Sequence, residues 1–273
     1  MKKAFMILLA VMMTISVNAQ KKTVALGKVN ASSGISSSWA TLLKQNMMEG
    51  LVKSPRINLF DLENLSTGGS GQDQLTRLKE EYHVDYLITA TMTALSYKYS
   101  AQNGKTLYSA TMEYTTTVTD TETGETVKVM SEKHYGSSSK NADEAYRDCF
   151  GLIKRDMDNL VEACFPLTGT IQLIEESHPK KGARTVFVDL GSALGIASGD
   201  LMEVFKVREI AGREIPTKIG ELRCKEVVAE DLSLCTVKSG GVEIQTAVDN
   251  EEKLIVKTRP GTFGVVMDTI RNL

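Results

Sequence analysis

Residues Asp85–Met130 read DYLITATMTALSYKYSAQNGKTLYSATMEYTTTVTDTETGETVKVM, and this stretch decides the fold. From Asp85 to Tyr99 the pattern is that of one long strand. Asn103-Gly104 is the favoured dipeptide of a two-residue type I′ turn, so the next strand folds back at once. That turn sets a register in which Tyr99 faces Tyr108, Tyr97 faces Ala110, Leu95 faces Met112 and Thr93 faces Tyr114. The opposite face carries Ser96, Lys98, Ser109, Thr111, Glu113 and Thr115. One apolar-aromatic face and one solvated face describe an antiparallel pair covered on one side. Asp120–Gly124 (DTETG) marks a second turn, and 126–130 continues as a third strand.

Outward from this hairpin the pattern changes period. Upstream, 23–29 (TVALGKV) is a short apolar strand, and Ser36, Ser37 or Ser38 can cap the helix that follows. On that helix Trp39, Leu42, Leu43, Met47 and Leu51 recur at helical spacing and form one structural stripe. Ser54-Pro55 stops it, and 57–61 (INLFD) is the next strand. A Ser- and Gly-rich loop spans Asn64–Gln72, and Ser70 with Asp73 resembles a capping box for a helix carrying Leu75, Leu78 and Tyr82. Downstream, Asn141–Phe165 reads as one helix. Asn141 and Glu144 form a cap-like pair, and Ala145, Cys149, Leu152, Ile153, Met157, Leu160, Val161 and Cys164 line one face. Pro166 ends it. Beyond lie only short strands (170–174, 185–190, 201–207, 220–228, 232–237 and 253–257), punctuated by Gly, Asp and Pro. The expected fold class is α+β. A mixed-sheet α/β domain with covering helices occupies 20–166, and a small all-β barrel or sandwich domain occupies 167–273.

Residues 1–19 read as a secretory signal peptide. Lys2 and Lys3 are its positive start, Phe5–Met12 its apolar run, and Val17-Asn18-Ala19 its small-x-small cleavage site. The apolar run falls well short of the ~20 residues a membrane anchor needs. No cysteine follows it to take a lipid, and no later segment is apolar for long enough to span. The expectation is an exported chain without a transmembrane segment once the signal is removed. Removal of Lys2 and Lys3 leaves 30 of the 32 basic residues against 34 acidic ones. That mild negative balance argues against nucleic acid as a partner.

Little in the chain points to chemistry. His83, His134 and His178 have no metal-ligand spacing and read as surface residues. The serine- and metal-hydrolase motifs GxSxG and HExxH are absent. Gly191–Asp200 lacks the Lys-Ser/Thr ending of a phosphate loop and reads as a turn into a strand. Asp120–Gly124 fits a hairpin turn, not a calcium loop. Cys149 and Cys164, ~22 Å apart on one expected helix, cannot bridge each other. Cys224 and Cys235 flank a tight turn where they could face each other, either as a disulfide or as small apolar core residues. No residue is expected to be catalytic, to ligate a metal or to hold a cofactor.

Val84–Thr89 entering a long strand, Val118–Val127 with its D-x-x-T-G-E-like hairpin, and Ala142–Ala145 opening a helix that ends in Cys164-Phe165-Pro166 occur in a specific order. In this order 22–166 resembles the periplasmic α/β domain shared by the curli secretion protein CsgG, the peptidoglycan-synthase activator LpoB and the middle part of the flagellar protein FlgT. Val186–Gly191, Gly199-Asp200 with Glu203–Phe205, Ile219–Leu222 and 227–237 are similar to the small C-terminal β-domain of FlgT-type proteins. The resemblance implies a non-catalytic envelope protein that works by binding, as a periplasmic adaptor or assembly factor, outer-membrane-associated or free. The alternative it implies is a CsgG-type curli secretion channel component. Two departures weigh against a channel. There is no lipidation cysteine, and the candidate insertion points for membrane strands, Asn64–Gln72 and Glu132–Lys140, are short and polar. The expected partner is a protein of the cell envelope, and homo-oligomerisation is compatible with this reading. Tyr97, Tyr99 and Tyr108, on one face beside an exposed turn, are the candidate partner-binding residues.

Overall fold

A computed structural model of the chain describes residues 21–62, 71–102 and 105–259. The signal segment, the Asn103-Gly104 turn, Ser70 and most of the Asn64–Gln72 loop lie outside them.

The first half runs β1 (Lys22–Ala31), α1 (Ser37–Lys53), β2 (Ile57–Asp61), α2 (Gln72–Tyr82), β3 (Tyr86–Gln102), β4 (Lys105–Asp120), β5 (Thr126–Ser138), α3 (Ala142–Phe150) and α4 (Ile153–Cys164). Its five-stranded sheet has the order β2-β1-β3-β4-β5. β1 is parallel to both neighbours and the remaining pairs are antiparallel. β1 is an inner strand, buried on both sides. Val24 and Leu26 face α1 and α4, while Ala25 faces α2 with Leu78, Val84 and Leu87. This explains why 23–29 reads as a continuous apolar run without alternation.

Local signals place the helices. Ser36 caps α1 through the Ser38 amide, and Asn141 caps α3 through the Glu144 amide at 2.8 Å. The Glu144 carboxylate does not complete a capping box. It accepts from Ser138 Oγ at 2.8 Å and Lys140 Nζ at 3.1 Å, and these bonds hold it below the usual carboxylate range. Leu43, Met47 and Leu51 of α1 are buried as the stripe requires, and Trp39 and Leu42 are half-buried at its margin. Gly50 lets α4 approach, since a Cβ there would lie 2.9 Å from the Met157 Cβ.

Three expectations are corrected here. Asn141–Phe165 is two helices, because the chain breaks at Gly151-Leu152 between α3 and α4. The break lets α3 lie on β4 and β5 while α4 turns onto α1. The pairing of Thr93 with Tyr114 fails as well. Tyr99↔Tyr108, Tyr97↔Ala110 and Leu95↔Met112 hold, but a bulge at Thr93 brings Met92 opposite Tyr114. The extra residue keeps Met92, Ala90 and Ile88 on the helix-covered face, which strict alternation would have turned outward. Third, Glu132–Ser138 is no insertion loop but the second half of β5, paired with β4 throughout.

The second half runs β6 (Thr168–Gly169), β7 (Ile171–His178), β8 (Gly182–Val188), β9 (Leu201–Ile210), β10 (Arg213–Val227), β11 (Ser233–Ser239), α5 (Gly241–Asp249) and β12 (Leu254–Thr258). Its strands form one antiparallel sheet, β6-β12-β9-β10-β11-β8-β7, curled into a half-barrel. β6 and β7 are consecutive in the chain yet sit on opposite edges, so the strand changes edge at Thr170. Asp189 fixes that corner: its carboxylate accepts from the Thr170 amide and hydroxyl, and its own amide donates to the Thr170 carbonyl at 3.2 Å. One helix is added to this β-fold: α5 lays Ile244 and Ala247 into the core with Val186, Val188, Val204, Leu222 and Val256. Gly191–Asp200 is a turn leading into β9, with the Asp200 carboxylate accepting from the Ala197 amide at 2.9 Å. The two sheets share no strand. Phe165 belongs to the first core, Leu167 to the second, and exposed Pro166 stands between them.

Candidate partner-binding surface

β1 leaves the sheet at Ala31, opposite Met92, and its chain turns away with the Ser32 amide bonded to the Met92 carbonyl at 2.9 Å. β3 runs on for ten more residues paired only with β4. β5 stops at Ser138, opposite Tyr108. Beyond that row the hairpin is two strands wide. Among the described residues no strand pairs with the outer edge of 94–101, so its amide and carbonyl groups stay open to solvent or a partner.

The three candidate tyrosines lie on the helix-covered face of this hairpin. Tyr97 is 52% exposed and Tyr99 74%, while Tyr108 is half-buried against the first core. The face is continued by two aromatics from separate helices. The Tyr97 ring stands edge-on to Tyr146 of α3, with centroids 6.1 Å apart at 86°. Trp39 of α1 packs on Tyr146 at 5.0 Å and stacks on Phe150 at 5.6 Å. Edge-on and offset rings are the favoured arrangements of aromatic pairs. Burial, with Tyr97 adding to it, pushes the Tyr146 hydroxyl up, so it stays a neutral donor. The surface is therefore a firm half-buried base of Trp39 and Tyr146 with Tyr97 and Tyr99 standing above it.

The opposite face of the same sheet is different. Thr91, Thr115 and Ser131 share one cross-strand row, with the Thr115 and Ser131 hydroxyls 3.0 Å apart. Tyr135, 68% exposed, has Lys133 Nζ 5.8 Å from its ring, and that ammonium pairs with Glu113 at 2.6 Å. This is a hydroxyl-rich, charge-balanced surface.

Sequence reading missed one polar constellation. His134 is buried, not a surface residue. Its Nε2 lies 2.5 Å from Asp156 Oδ2 of α4, and Tyr114 OH donates to the same oxygen at 2.5 Å. Burial raises the Tyr114 hydroxyl far above its ordinary range, and the Asp156 charge adds to that, so the tyrosine is a permanent donor. A carboxylate only accepts, so Nε2 carries the proton. All three side chains are closed off beneath α4. Together they tie β4, β5 and α4 to one another. Gly136, two residues on, allows β5 this close to α3: a Cβ there would meet the Ala145 carbonyl oxygen at 2.0 Å.

No family model and no curated protein sequence matches the chain. Solved structures do resemble it at a distance. A hypothetical protein from Chlamydia trachomatis is 14% identical with a TM-score of 0.42, over 54% of this chain and 98% of that one. Lipoprotein GNA1162 from Neisseria meningitidis is 14% identical with a TM-score of 0.33, over 52% and 96%. The C-terminal domain of LpoB from Salmonella enterica is 10% identical with a TM-score of 0.29, over 41% and 82%. Likenesses this distant decide nothing about activity. Among the described residues no helix is long and apolar enough to cross a membrane, and no cluster of His, Cys, Asp and Glu could hold a metal ion.

Proposed function

We propose that the chain is a non-catalytic, exported protein of the bacterial cell envelope that serves as an adaptor or assembly factor by binding a protein partner. The observation that carries this reading is the pair Tyr97 and Tyr99, exposed on a firm aromatic base beside an unpaired strand edge. Tyrosine buries apolar ring area while its hydroxyl keeps a hydrogen bond, and an open edge supplies main-chain donors and acceptors to an incoming segment. The signal-like start of the sequence supports the compartment.

Mature chain and its Tyr97→Ala and Tyr99→Ala variants, immobilised side by side, test the reading against envelope extract. Binding through this surface makes a protein retained by the native chain disappear with the variants at an unchanged melting temperature. A lowered melting temperature with retention intact makes the tyrosines core residues and overturns the reading. A high-salt wash of membranes separates an adaptor, which is released, from an embedded channel component, which stays until detergent is added.

A further inference from the structure

We propose that Cys224 and Cys235 are joined by a disulfide in the exported protein. The inference uses the proposed export only as the source of an oxidising environment. The pair lies side by side on β10 and β11 as direct cross-strand partners, and both side chains are almost fully buried in the second core. In the structure both carry free thiols.

The ladder around them favours a bond. The Cys224 amide donates to the Asp200 carbonyl at 2.8 Å, and its carbonyl accepts from the Gly199 amide at 2.8 Å. Both main-chain groups therefore point away from β11, which makes Cys224–Cys235 a non-hydrogen-bonded pair of that ladder. Such pairs hold their Cα atoms about 4.5 Å apart, inside the ~4.4–6.8 Å window of disulfides. The register also slips immediately afterwards, between Cys224 and Glu226. A covalent link at this pair pins the register beside the slip. Cys149 and Cys164 offer no such partner: Cys149 donates weakly to the His134 carbonyl, and the two sit on different helices.

The oxidant is a small or protein disulfide. One cysteine thiolate attacks it, forming a mixed disulfide and releasing one thiol. The second cysteine then attacks its neighbour's sulfur and releases the second thiol, so two electrons and two protons pass to the oxidant, which leaves as two thiols. Once the second core closes around the pair, burial raises both thiols and slows attack. The bond therefore forms during folding and afterwards resists reductants.

The test compares two preparations: chain recovered from the envelope, and chain refolded in purified form with glutathione disulfide. Each is unfolded, alkylated and digested with trypsin. The expected product in both is Cys224-Lys225 linked to 226–238, with Cys149 and Cys164 alkylated. Four alkylated cysteines in the refolded chain overturn the proposal. A link in the refolded chain but four free thiols in the recovered one upholds the pairing and counts against export instead. In a Cys149→Ala/Cys164→Ala background, reductant should lower the melting temperature of the second half by roughly 10 °C, as closing a short loop implies. A Cys224→Ala/Cys235→Ala chain should show no such response.

Discussion

The two sheets solve the edge problem in opposite ways. The seven-stranded sheet curls until β6 and β7 come from one continuous stretch and its core is enclosed with α5. The five-stranded sheet stays open: 94–101 and β5 have no described strand on their outer edges, and one face shows threonine rows to solvent. Curling spends strand edges on stability, whereas an open sheet keeps them available for recognition. Under the proposed reading, binding falls to the first half and the second is a supporting body.

The largest effects should fall on the cores, and on one half at a time. Leu43→Ala is expected to cost ~2–5 kcal/mol, and Leu222→Ala a similar amount in the other core. Calorimetry of both variants should show a different transition displaced in each; one common transition falling in both breaks the picture of two cores. Next comes the buried tie. Asp156→Asn leaves Tyr114 and His134 competing for one acceptor oxygen and should cost about 1–3 kcal/mol by urea denaturation. A neutral result would mean that the three groups are better solvated than their burial implies.

A subtler effect concerns pH. In the reduced chain burial pushes the Cys235 thiol from an ordinary value of 9.0 up to about 12. A raised folded value means stability is fully present below pH 9 and lost as pH rises towards 12. The disulfide form carries no such proton. The gap in melting temperature between oxidised and reduced chain should therefore widen across that range, and a constant gap would remove Cys235 as its source. Smallest of all, Tyr99→Ala should change stability by no more than about 0.5 kcal/mol, since the ring is mostly in solvent. A larger loss would place Tyr99 in the fold and weaken the contrast between the halves.

What the sequence disclosed was local. Asn103-Gly104 set the register of β3 against β4, and that register alone put Tyr97, Tyr99 and Tyr108 on one face. The bulge at Thr93 had no mark, because one surplus residue in a strand looks like its neighbours. Gly151 is compatible with a continuing helix, and only the competing demands of β5 and α1 break it. α5 is too short, and opens too directly on Gly240-Gly241, to show a helical stripe. His134 read as exposed because its reason for burial, Asp156, lies on a different element 22 residues away. Trp39 and Tyr146 likewise join the tyrosines only through tertiary packing.

Pro166 has a mechanical meaning. A long flexible linker would let the halves wander, and a force on one would be absorbed by slack. Here the residue before it is seated in one core and the residue after it is bonded into the other, where the Leu167 amide donates to Thr258 Oγ1 at 2.8 Å. Proline adds a fixed φ of its own. Tension along the chain between the halves therefore reaches both hydrophobic interiors with no slack to absorb it.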